Sequence, residues 1–254
     1  MSTPSGNMRS LDRAFDVLTV LQTAKQPLRL SEVARLSDLH VATSQRILNV
    51  LLERGYAART GDTYTAGPAA LAVAHAFMVT NPLSLLAQTT LQQLAAITGY
   101  TASLYVRVEN SRVLVARVES QNPLSYVLPV GERLPLYLGG AGKIFLADLT
   151  AEEVDLIVPD ATSIPLASGG ATSKAELLAE LDKIRTDGHA YSVSERSYGI
   201  ASIAAPVRSS AGALMGVLGI TGPADEMSGP QIARAITEVR RAATALGARL
   251  PDSG

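Results

Sequence analysis

Apolar residues recur at helical spacing along most of this chain, and caps and turns punctuate the places where the spacing breaks. Leu11, Ala14, Phe15, Leu18 and Leu21 or Gln22 follow a three-to-four-residue period and predict a first helix over 9–23. Ser10 is its expected N-cap, with Arg13 at the third helical position. Pro27 closes the connection, because a proline pushes the preceding residue out of helical geometry. A short apolar run predicts a second helix over 30–36, and the polar break Ser37-Asp38-Leu39-His40 separates it from a third over 41–52. Ile47, Leu48, Leu51 and Leu52 mark the inner side of that third helix, and Val50 adds to the buried surface. Thr43, Gln45, Arg46 and Asn49 fall largely elsewhere around it. After Arg54-Gly55 the period changes to that of a hairpin: 56–59, a Thr60-Gly61-Asp62 turn, then 63–67. Helix, tight turn, helix and small hairpin outline a winged helix-turn-helix, so the stretch 28–67 is expected to bind DNA.

Gly67-Pro68 marks a boundary, and the following 69–77 is alanine-rich and almost uncharged. A linker helix is expected within 68–81, as a packing surface. Asn81 then caps a helix with Pro82 at its first position, running to about Thr98 before Gly99. Beyond it, β-rich runs at 101–108 and 112–119 flank a Glu109-Asn110-Ser111 turn, with shorter extended pieces at 124–129 and 134–138. Helices are expected at 142–149, at 151–158 behind a Thr150 capping box, from Ser173 to near Gly188, and over 228–250. Strands return at 200–207 and 213–221. Helices interspersed with hairpin-paired strands predict an antiparallel α+β domain over 82–254.

Composition narrows the function less than pattern does. At 254 residues and 47% hydrophobic, the chain supports packed cores in one large or two modest domains. It has no cysteine, which removes disulfides and thiolate metal sites and fits a cytoplasmic protein. No uninterrupted apolar run reaches membrane-spanning length, and residues 1–7 lack a secretory layout. The net charge of −1 divides into 8 Lys/Arg against 6 Asp/Glu in residues 1–68 and 14 against 17 in the rest. That asymmetry is slight, so a DNA reading rests on where Arg46 and Arg59 sit. Enzyme motifs are missing. In Gly139-Gly140-Ala141-Gly142-Lys143 the lysine precedes Ile144, and the first glycine of a phosphate loop would fall at Tyr137. No Gly-x-Ser-x-Gly elbow exists, and His40, His75 and His189 lack metal spacing. Glu195 is a candidate general base, with a strand-end salt bridge to Arg196 or another cation as the stronger reading. No catalytic residue, cofactor or metal is expected.

Three blocks together resemble the IclR family of bacterial transcriptional regulators, over essentially the whole chain from Arg9 to about Leu250. They are Arg9-Ser10-Leu11-Asp12-Arg13-Ala14 with the helix-turn-helix and its Thr43-Ser44-Gln45-Arg46-Ile47-Leu48; Gly139-Gly140-Ala141-Gly142-Lys143-Ile144-Phe145-Leu146-Ala147; and Gly188 through Glu195 to Gly199-Ile200, with Ile203-Ala204-Ala205-Pro206-Val207 and Ile220-Thr221-Gly222-Pro223. The resemblance implies a winged helix-turn-helix domain (1–67), a linker helix (68–81) and a GAF-like, effector-binding α+β domain (82–254). It also implies homodimers, often dimers of dimers, that repress catabolic genes. The rival reading is a small-molecule sensor without specific DNA binding.

Thr43, Ser44, Gln45, Arg46 and Asn49 are then the expected DNA contacts of the recognition helix, and Arg59 that of the wing. Ala42 departs from the family where a serine is common, which removes one phosphate contact. The resemblance places the effector against the Gly140-Ala141 amides, Ser192, Ser202, Gly219 and Thr221, with Tyr126, Leu134 and Ile200 as an apolar wall. Helix-end N–H groups favour a carboxylate. Ser192 replaces a usual acid, and Gly219 replaces the hydroxyl of members that bind small acids. The expected effector is therefore a small organic acid with an aromatic ring, such as a hydroxybenzoate.

Overall fold

The structure, a computed structural model, describes residues 6–120, 128–159 and 163–251. The chain divides into two compact units, Met1–Thr80 and Asn81–Gly254.

The first unit runs α1 (Gly6–Thr23), β1 (Leu28–Arg29), α2 (Leu30–Leu36), α3 (Val41–Glu53), β2 (Ala57–Thr60), β3 (Thr63–Ala66) and α4 (Ala69–Thr80). Val17, Leu21, Leu28, Val33, Leu48, Leu51, Ala57 and Tyr64 form its core. The turn between α2 and α3 needs a left-handed residue, and Asp38, a type that tolerates this conformation, supplies it at φ 53°. This is the expected winged helix-turn-helix, with three corrections. α1 begins at Gly6, so Ser10 lies inside the helix and caps nothing. Its inward face is Val17 and Leu21, whereas Leu11 and Phe15 are 54% and 58% exposed. Leu21 of the expected stripe is buried and Ala14 and Leu18 are half-buried, but packing against α2 and α3 brings in Val17 and leaves Leu11 and Phe15 outside the core. Finally, β1 adds a third strand to the wing, in the order β1-β3-β2.

The second unit runs α5 (Pro82–Thr98), β4 (Thr101–Val108), β5 (Ser111–Val118), β6 (Arg133–Pro135), α6 (Gly140–Ala147), α7 (Ala151–Ile157), β7 (Ile164–Pro165), β8 (Ala171–Thr172), α8 (Lys174–Asp187), β9 (Ala190–Val193), β10 (Ile200–Arg208), β11 (Leu214–Pro223) and α9 (Pro230–Gly247). Asn81 accepts the Ser84 N–H and Gly99 closes α5 in the left-handed region, while Thr150 and Ser173 form capping boxes. Six strands make one antiparallel sheet in the order β6-β5-β4-β11-β10-β9. Alternation along the strands divides the core in two. Leu104, Ala116, Ile203, Ala205, Leu218 and Ile220 pack with α5 and α9. Tyr105, Leu114, Ala190, Ala204 and Val217 pack with α6, α7 and α8. The second unit is α+β, GAF-like, with helices on both faces of the sheet. Among the described residues, no single helix is long and apolar enough to cross a membrane.

Candidate functional site

On α3 the exposed residues are Val41, Ala42, Arg46, Asn49, Val50 and, at its end, Glu53, while Thr43 and Gln45 are half-buried. Gln45 Nε2 donates to Asn49 Oδ1 at 2.9 Å and to the Tyr64 hydroxyl at 3.3 Å. Arg59 lies over the ring of the same tyrosine, 5.5 Å from its centroid, and its Nε donates to the Gly61 carbonyl at 2.8 Å. The buried Tyr64 of β3 thus couples the exposed face of α3 to the wing. Ser44 does not belong to that face. It is 0% exposed and its Oγ has no partner among the described residues, so the expected DNA contact at Ser44 is corrected to a core position. The signal was present, since Ser44 lies four residues before Leu48 and seven before Leu51 on the inner stripe. Ser44→Ala is expected to raise stability by about 1 kcal/mol in urea unfolding, because it deletes an unsatisfied hydroxyl, and to leave DNA affinity unchanged.

The second candidate site lies on the α6–α8 face of the large sheet. Strand register sets Ser192, Ser202, Thr221 and Thr101 in one row across β9, β10, β11 and β4. The start of α6 closes over this row. The Gly139 N–H donates to Glu195 Oε2 at 2.8 Å and the Gly140 N–H to Ser192 Oγ at 3.1 Å, and Ser192 Oγ is 2.9 Å from Ser202 Oγ. The Gly140 amide, expected to hold a ligand, is therefore occupied by a side chain. The Ala141 N–H is next along the helix start, in the first turn, where an α-helix offers its N–H groups no intrahelical acceptor. Gly142 has a steric role: a Cβ there would sit 2.3 Å from the Leu136 carbonyl oxygen and 2.4 Å from Arg112 Nη1.

Two charged features add to the expected residues. Arg112 of β5 is 3% exposed, donates to the Pro135 carbonyl and stacks over Tyr105 at 5.7 Å, while its buried Nε has no partner among the described residues. Burial pushes its pKa down to about 10. Tyr105 opposes that shift, Arg196 adds to it, and Glu195 opposes it. In the sequence Arg112 is only the first residue of the β-rich run 112–119, and no local signal marks it as buried. The second feature is an ion triad. Lys143 Nζ, on a side chain only 4% exposed, lies 2.7 Å from Glu180 Oε2 and 2.5 Å from Glu195 Oε1. Glu195 therefore makes a salt bridge, with Lys143 as the cation.

Two small cavities open among these groups, with volumes of about 40 Å³ and 20 Å³. Gly140, Ala141, Ser192, Ser202 and Gly219 line the larger, and Ile200 and Thr221 line both. Leu134 lines neither. It is buried in the core with Leu114 and Leu136, which corrects its place in the expected wall. Tyr126 lies outside the described residues. The wall is also more polar than expected, because Arg112, Arg196 and Glu195 contribute to it. A wider cleft of about 710 Å³ lies between the end of α5 and the start of α9, but no buried unpaired polar group among the described residues lines it.

Comparison with known proteins covers nearly all of the chain. The family described as bacterial transcriptional regulator IclR C-terminal matches residues 75–248, and the IclR helix-turn-helix domain matches residues 10–61. The HTH-type transcriptional regulator BhcR of Paracoccus denitrificans is 30% identical over 244 residues, covering 95% of this chain and 87% of that one. A transcriptional regulator from Rhodococcus sp. RHA1 superposes with a TM-score of 0.78 at 29% identity, over 95% of this chain and 98% of that one. An IclR homolog from Microbacterium hydrocarbonoxydans, complexed with 4-hydroxybenzoate, shares the fold with a TM-score of 0.81 at 19% identity. That match covers 96% of this chain and 100% of that one.

Proposed function

This chain belongs to the IclR family of bacterial transcriptional regulators, and from that premise we propose that it is a cytoplasmic, effector-responsive repressor of catabolic genes. Its relatives are regulators of transcription and not enzymes. In this reading α3 enters the major groove with Arg46, Gln45 and Asn49 toward base edges and Thr43 toward a phosphate, while Arg59 on the wing contacts the backbone. The Gln45–Asn49–Tyr64 bonds fix the reading side chains before DNA arrives, which limits the entropy lost on binding.

The effector in this reading is a small carboxylate held in the second unit. Arg112 carries the inference: a buried cation whose Nε has no partner among the described residues lines a cavity together with Ala141 in the first turn of α6. A carboxylate supplies the missing acceptor and relieves the burial that lowers the Arg112 pKa. Cavities of about 40 and 20 Å³ favour a compact aliphatic acid over the aromatic one expected from the sequence, because drug-sized ligands occupy roughly 300 Å³ or more. An acid panel scored by thermal shift and operator binding tests this. At a hundredfold excess over Kd, a bound acid is expected to stabilise the protein by about 2.7 kcal/mol and to change DNA affinity. No shift with any aliphatic carboxylate removes the reading.

Self-association belongs to the same proposal. α4 has no buried residue, and Leu71, Val73 and Phe77 on it are 72%, 57% and 38% exposed. Such an apolar surface is a protein-contact surface. Sedimentation equilibrium is expected to find a dimer or a dimer of dimers at micromolar concentration, and a monomer would exclude it.

A further inference from the structure

A second guanidinium borders the cavities of the C-terminal unit and plays no part in the reading above. Arg117 follows Arg112 on β5 at an odd spacing, which in an unbroken strand sends the two side chains to opposite faces. A bulge at Val115 cancels the mismatch. Leu114 pairs with Tyr105, Ala116 with Leu104 and Arg117 with Ser103, so Arg112 and Arg117 share the face presented by Tyr105 and Ser103. Their partners on β4, Arg107 and Ser103, are separated by about 13 Å of strand at roughly 3.3 Å per residue.

The Arg117 side chain is 8% exposed. It donates to the Leu128 carbonyl at 3.1 Å and faces the Glu119 carboxylate at 3.5 Å, but its buried Nε has no partner among the described residues. Glu119 is 47% exposed, so water screens that pair. Arg117 lines the smaller cavity with Thr101 and Ser103. Thr101 Oγ1 accepts the Ser120 N–H at 3.2 Å and keeps its own proton to donate. The smaller cavity shares Tyr105, Arg196, Ser197 and Thr221 with the larger one, where Arg112 lies. Among the described residues lining either cavity the one acid is Glu195, already bound to Lys143 and the Gly139 amide. Two buried cations, each with an orphaned donor, therefore face adjoining cavities from a single strand.

We infer that the effector is a dianion, a short aliphatic dicarboxylate. One carboxylate meets Arg112 and the Ala141 amide, and the other meets Arg117 with the hydroxyls of Thr101 and Ser103. A ligand of that length spans both cavities and displaces the Arg196 and Ser197 side chains that line them in common. The inference rests on the carboxylate reading of the preceding subsection and specifies its second charge.

The test is calorimetry on the full chain with succinate and butyrate, acids of equal carbon number that differ by one carboxylate. Succinate is expected to bind at least about tenfold more tightly than butyrate, equivalent to about 1.4 kcal/mol. Arg117→Gln is expected to abolish that preference by weakening succinate alone. Arg117→Lys, which keeps the charge and controls for folding, is expected to retain part of it. Equal affinity of the wild type for the two acids overturns the dianion inference and leaves the carboxylate reading standing. Equal weakening of both acids by Arg117→Gln, with the fold intact by circular dichroism, overturns it too. If neither acid binds the wild type, the dianion inference falls, and the carboxylate reading falls with it only when no other aliphatic acid of the panel binds.

Discussion

Arg46→Ala is expected to weaken operator binding by about ten- to a hundredfold, the consequence of losing roughly 1–3 kcal/mol of one charged contact per recognition helix. Two copies in a dimer compound the loss. Arg46 is exposed, so its removal leaves the core untouched and stability within about 0.5 kcal/mol of wild type. A salt titration separates its two possible partners. If Arg46 clamps a phosphate, the slope of log affinity against log salt flattens by about 0.9 per contact. If it reads guanine, the slope holds and discrimination relaxes at one operator position. Unchanged affinity in a gel-shift titration would remove Arg46 from the interface.

Lys143→Met is expected to be the most destabilising single change around the cavities of the second unit. Lys143 is 3% exposed and neutralises Glu195, whose side chain is 12% exposed, and Glu180 at the surface of α8. Removing the shared cation leaves Glu195 buried without its counter-charge, which costs about 3–5 kcal/mol where both partners are buried and less for the half-buried Glu180. A loss of that size lowers Tm by roughly 2–4 °C per kcal/mol in a protein of this length. The double variant Lys143→Met with Glu195→Gln is expected to recover much of the loss, since it removes the stranded charge along with its partner. Tm values for Lys143→Met and wild type within a degree of each other would show that the triad is not a structural clamp. Effector affinity should fall with stability, because Glu195 also holds the Gly139 amide at the start of α6.

The parts of the fold that were readable in the sequence share one property: their signals are local. Asn81 with Pro82 starts α5 and Gly99 ends it because a cap involves side chains and backbone within one turn. The same holds for Thr150 and Ser173, and for the hairpin turn at Gly61. Short strands were harder. β1 has two residues, and β9, Ala190–Val193, lacks a clear alternation; each exists because a longer neighbouring strand offers a ladder. α1 shows the limit of periodicity itself. Leu21 of its expected stripe is buried, but the inclusion of Val17 and the exclusion of Leu11 and Phe15 depend on what packs against the helix.

The same division runs through the functional sites. By itself the sequence determined the order of a helix-turn-helix, a wing, an apolar helix and an α+β domain, along with the glycine-rich turn at the start of α6. Caps, turns and hydrophobic periods act over a few residues and carry that information directly. Only the tertiary structure decided that Ser44 is core, that Leu134 is not in the cavity wall, and that Glu195 pairs with Lys143. It alone also turned Arg112 and Arg117 inward, because their burial comes from a strand bulge and from helices that cover the sheet's second face. The charge of the cavity is set by register between strands about a hundred residues apart, as in the pairing of Ser103 with Gly219. Residues brought together at that separation leave no periodic trace along the chain.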